Sequence, residues 1–175
     1  MNKIKLLLLF LSLGMTATTA SAAVIFSVES EGQMTSTQAG VNTVNFNDGT
    51  IGSYTDSLDV NLQDYTIYDT PSNTGQSASP YGIADKFLSV PNPVSNGTAE
   101  FGVGGDYDYF GLFWGSVDTY NTLSFWNDGA QVASFSGSDI TPLIASGNQG
   151  SWDSNRYVNF FFTEGDIYDT IRMTS

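Results

Sequence analysis

The chain has 175 residues, with 5 lysine and arginine side chains against 18 carboxylates and a formal charge of −13. That surface repels nucleic acid and anionic lipid over roughly a Debye length, about 8–10 Å at physiological salt. Histidine and cysteine are absent, so neither a Ser-His-Asp or Cys-His nucleophilic site nor a histidine-based metal site can be assembled. Neutral sugars and divalent cations remain open as partners.

Lys3 and Lys5 precede an apolar run from Leu6 to Leu13, which small residues close at Ala20-Ser21-Ala22. A basic start, a run too short to span a bilayer and an Ala-x-Ala site read as a secretory signal peptide over residues 1–22. Cleavage there removes two lysines and no acid, taking the charge from −13 to −15, and leaves no membrane-spanning segment. Residues 23–175 are then one domain that must rely on its apolar core, because no disulfide can form.

After the signal, glycine, asparagine, aspartate and serine clusters divide the chain into short segments rich in β-branched and aromatic residues. The expected strands are Val41–Phe46, Tyr65–Tyr68, Lys86–Val90, Thr98–Val103, Tyr109–Trp114, Thr122–Trp126, Gln131–Phe135, Arg156–Thr163 and Ile167–Met173. Residues 69–82 read as a long surface loop. Asn127-Asp128-Gly129 supplies the positive backbone dihedrals of a tight hairpin between the sixth and seventh of these strands. Tyr109–Trp114 is apolar on both faces and is expected to lie centrally. One short helix is expected near 141–146, capped by Thr141, with Pro142 at its first position and Gly147 as its stop. Turn signals at about ten-residue spacing point to an all-β fold, a two-sheet antiparallel sandwich of jelly-roll or lectin-like type.

Asp108-Tyr-Phe-Gly-Leu-Phe-Trp-Gly-Ser-Val-Asp-Thr-Tyr-Asn-Thr-Leu-Ser-Phe125, with Phe135-Ser-Gly-Ser-Asp-Ile140 and Asn155-Arg-Tyr-Val-Asn-Phe-Phe-Phe162, resembles the ectodomain of exosortase-dependent surface proteins of the PEP-CTERM class. The resemblance covers roughly residues 40–172. It implies a lectin-like sandwich, secreted or at the surface of a Gram-negative cell, in a polysaccharide-matrix setting, and supplies no catalytic residue. Members end in a Pro-Glu-Pro sorting signal, a membrane helix and basic residues, whereas this chain stops at Ile171-Arg-Met-Thr-Ser175. It is either an anchorless variant or a chain short of its last strand, since an open sandwich would expose a strand edge. Val90-Pro-Asn-Pro93 reads as an internal loop.

Two sets of residues are candidates for binding. Asp106 and Asp108, in a glycine-rich stretch from Gly102, suit a hard cation such as calcium, and Glu29 with Glu31 could close a sandwich-edge calcium site together with a distant loop acid. Trp152, Asn155, Arg156, Tyr120 and Asn121 combine aromatic faces for the C–H side of a sugar with amides and a guanidinium for its hydroxyls. Trp114 and Trp126 read more readily as packing. Pairs of carboxylates could cleave glycosides, but with 18 acids such pairs arise by number alone. The expected function is therefore an exported, non-catalytic surface or matrix protein contacting neutral polysaccharide or other surface proteins. A carboxylate-based carbohydrate-active enzyme and a calcium-stiffened structural module are the alternatives.

Overall fold

The computed structural model describes residues 24–47, 66–68, 77–90, 98–163 and 165–175. The signal peptide over 1–22, the Pro-Asn-Pro segment after Val90 and most of the expected loop over 69–82 lie outside them. The strands among the described residues are β1 (Val24–Val28), β2 (Thr66–Tyr68), β3 (Phe87–Ser89), β4 (Thr98–Tyr107), β5 (Tyr109–Trp114), β6 (Thr122–Asn127), β7 (Ala130–Ser136), β8 (Arg156–Phe162) and β9 (Tyr168–Thr174). They form a three-stranded sheet β1-β8-β5, a four-stranded sheet β4-β9-β6-β7 and the hairpin β2-β3, every pairing antiparallel. The two larger sheets stack as a β-sandwich, as the alternation of apolar residues predicts.

Alternation decides which side chains meet between the sheets. Phe110, Val158, Phe160 and Phe26 face inward from one sheet, and Leu123, Phe125, Phe101 and Ile171 from the other. Phe125 is fully buried at their meeting point, with ring centroids 5.3 Å from Phe160, 5.0 Å from Phe162 and 5.5 Å from Phe110. The Phe110 and Phe162 contacts are edge-to-face and the Phe160 contact tilted. Aromatic pairs of this kind add about 0.5–1.5 kcal/mol each to the burial of the rings, which is how a chain without disulfides closes its core.

The hairpin between β6 and β7 forms as its sequence requires. Asp128 and Gly129 take φ of 48° and 76°, the paired positive values of a type I′ turn. Elsewhere the sequence misleads. Val41–Phe46 is irregular. β1, absent from the expected strands, pairs along its whole length with β8. β5 is not central, because β8 lies between it and β1. The second apolar face of β5 is covered instead by loops: Tyr109 is bonded to Ser36, and Phe113 lies 6.3 Å from the Trp152 ring.

No helix forms over 141–146. Ile144 N–H donates to Asp153 O and Ser146 bridges Asp118, so the backbone groups of this segment are used across neighbouring loops rather than along a helix. The Thr141–Pro142 peptide is cis. The helical geometry present among the described residues is two 3₁₀ turns, Gly137–Asp139 and Trp152–Ser154. No helix of the described residues is long and apolar enough to cross a membrane.

Candidate functional site

Of the loop residues singled out in the sequence, Trp152, Asn155 and Arg156 adjoin one another, mostly to hold the sandwich closed, whereas Tyr120 and Asn121 bond to Asp118 and Ser175. Asn155 is fully buried. Its Oδ1 accepts from Tyr81 N–H at 3.0 Å and Ser116 N–H at 2.9 Å, while its Nδ2 donates to Asn148 O at 2.7 Å and Ser151 O at 2.8 Å. An amide with all four directions used has nothing left for a sugar hydroxyl, so Asn155 is a latch between three loops and not a ligand contact. Arg156 is committed as well. Its Nε donates to Trp152 O, its Nη1 to Glu29 O and its Nη2 to Glu31 Oε1 at 3.0 Å, which straps the segment after β1 to the start of β8. The expected open platform at Trp152 is a half-buried plug. Its ring meets Tyr81 at 5.0 Å and Phe113 at 6.3 Å, and it lies so close to Gly82 that a Cβ there would stand 2.8 Å from the indole.

Tyr120 is the most accessible member of the set, 64% exposed. Its hydroxyl donates to Asp118 Oδ2 at 2.7 Å, and that bond, with some burial and the carboxylate's charge, holds its pKa above the ordinary tyrosine value. Asn121 is used locally: its Oδ1 accepts from Asp118 N–H and its Nδ2 donates to Ser175 Oγ.

Two of the metal candidates, Glu29 and Glu31, are engaged elsewhere. Glu29 Oε1 accepts from Thr37 Oγ1 and from the buried Asn159 Nδ2, and Glu31 pairs with Arg156. The glycine-rich stretch from Gly102, of which only Gly102 and Val103 were within an expected strand, is the end of β4, with an irregular register between Gly102 and Tyr107. It carries Asp106 and leads to Asp108, both exposed. Among the described residues no group of three or more acidic side chains comes together as a metal ion would need. Of the four acids expected to bind calcium, Glu29 and Glu31 are engaged with Thr37, Asn159 and Arg156, while Asp106 and Asp108 stand exposed at and just beyond the end of β4.

A different surface has the chemistry expected of the loops. On the outer face of the four-stranded sheet, register puts Glu100, Arg172 and Ser124 side by side on β4, β9 and β6, with Trp126 one step along. Arg172 forms an ion pair with Glu100, and its guanidinium carbon lies 3.8 Å from the centre of the Trp126 ring. Trp126 Nε1 donates to Ser124 Oγ at 3.0 Å. Contacts of this kind, half-exposed, contribute about 1 kcal/mol or less each to stability. Their consequence is geometric: an indole plane, a forked donor and a carboxylate acceptor are held together at the surface. Arg172 and Glu100 escaped the sequence reading. Strand alternation turns Arg172 away from Ile171, yet its neighbours there depend on β4 and β6, which are distant in the chain.

No family model matches the chain, and no curated protein or solved structure is significantly similar to it.

Proposed function

We propose that this chain is an exported, non-catalytic surface or matrix protein that binds neutral polysaccharide through the outer face of the β4-β9-β6-β7 sheet. The carrying observation is the Glu100–Arg172–Trp126 cluster. Sugar rings offer apolar C–H faces to an indole and hydroxyls to charged and polar groups, and this cluster presents both kinds of partner at once. It is charge-balanced on a protein of formal charge −13, which favours a neutral ligand over an anionic one. The signal peptide expected over residues 1–22 and the resemblance to exosortase-dependent surface proteins of the PEP-CTERM class support an envelope or matrix setting in a Gram-negative bacterium.

A glycan array carrying neutral and anionic polysaccharides, probed with the mature protein in calcium and in chelator, tests this reading. Binding is expected on neutral glycans alone, unchanged by chelator, and lost in Trp126→Ala while the melting curve moves little. An array on which the folded protein binds nothing would remove the proposal. Binding that survives Trp126→Ala would move the site elsewhere.

A further inference from the structure

Resting on the polysaccharide reading above, we infer that the outer face of the four-stranded sheet takes an extended, unbranched neutral glycan laid across the strands, and not the terminal sugar of a chain. Register aligns Thr98, Thr174, Thr122 and Ser136 in one row over β4, β9, β6 and β7. The row containing Glu100, Arg172 and Ser124 runs beside it, two residues along each strand, and Trp126 stands in the row after that. Neighbouring strands are about 4.8 Å apart, so each row spans three intervals, roughly 14 Å, and successive rows are about 7 Å apart. That footprint is longer than one sugar ring and requires a chain to fill it.

The composition of the face selects the occupant. Hydroxyl side chains both donate and accept, so the threonine row can match sugar hydroxyls of either polarity. Trp126 is the only large apolar side chain at the paired positions of these three rows, whereas a protein partner is normally anchored by an apolar interface core. The Arg172 charge is met by Glu100, so the face lacks the uncompensated cation that an anionic glycan would seek. Sheet twist rotates successive strands by roughly 20–25°. A single soluble chain can follow that rotation, but the flat face of a crystalline polysaccharide cannot.

Calorimetry with linear β-1,4- and β-1,3-gluco-oligosaccharides and β-1,4-manno-oligosaccharides, from monosaccharide to hexasaccharide, tests the inference alongside the array. Affinity for at least one series is expected to rise tenfold or more with length and then level off. The double variant Thr122→Val/Thr174→Val should lose that gain, Thr122→Ser/Thr174→Ser should keep it, and both should melt like the parent protein. If affinity does not depend on length, if the valine pair binds like the parent, or if the array shows binding only to branched or terminal sugars, the extended mode is overturned while the polysaccharide reading stands. A folded protein that binds no glycan at all overturns both.

Discussion

Asn155 receives two backbone N–H groups and donates to two carbonyls from a position with no solvent exposure. Its role is set by what the surrounding loops lack. The turn at Tyr81, the corner at Ser116 and the loop carrying Asn148 and Ser151 each leave a backbone group without a strand partner, and one amide satisfies all of them. In the sequence this residue stood beside Trp152 and Arg156 and matched a sugar site equally well, because a side chain's type does not reveal whether its hydrogen bonds are already spent. Asn155→Ala should destabilise the fold by about 3 kcal/mol or more, since buried groups left unpaired cost about 1–3 kcal/mol each. A urea melt checks this. A change within about 0.5 kcal/mol, typical of surface substitutions, would show that the latch is not closed in solution.

At the scale of elements, the local pieces were the legible ones. The β6–β7 hairpin follows from Asp128-Gly129 between two alternating segments, and the structure repeats that turn. Two glycines near this hairpin separate conformational from spatial requirements. Gly129 is open to solvent, with nothing within 4 Å of an added Cβ, so Gly129→Ala should cost only the strain of its positive φ, about 1–2 kcal/mol. At Gly137 an added Cβ would meet the Asp118 carbonyl oxygen and stand 2.6 Å from Val117 Cγ1. Gly137→Ala is therefore expected to be clearly the more damaging of the two, by comparison of their thermal melts. β1 illustrates the opposite case. Val24, Phe26 and Val28 alternate as a strand should, but the segment adjoins the signal peptide, and its partner β8 lies more than a hundred residues away.

For the whole molecule, the aromatic core sets the response to alkaline pH. Tyr168 is 3% exposed, bonds to Tyr109 O and packs 5.2 Å from Phe125. Burial, followed by neighbouring tyrosines and Asp108, raises its pKa well above the ordinary value of 10.0. The raised value means the folded state keeps this proton while the unfolded chain releases it. The contribution is fully present below about pH 10 and is lost progressively above it, at up to about 1.4 kcal/mol per pH unit for one such group. Denaturation midpoints should hold from neutral pH to about pH 9.5 and then fall, and Tyr168→Phe should lessen the fall. An unchanged slope in that variant would place the alkaline sensitivity in other groups.

The sequence by itself determined the fold class, the hairpin turn, the alternating faces that build the core, and an acidic, histidine-free composition in which no histidine-based catalytic site can be built. These follow from composition and from contacts between near neighbours. Only the tertiary structure decided which polar residues are available. Asn155 is used by loops and Arg156 by the segment after β1, remote in sequence, and that segment's Glu29 and Glu31 are engaged by Asn159 and Arg156. Arg172 meets Glu100 and Trp126 only because β9 inserts between β4 and β6. Alternation tells which face a side chain takes, but its neighbours on that face are chosen by strand order, a property of long-range pairing that no short stretch of sequence contains.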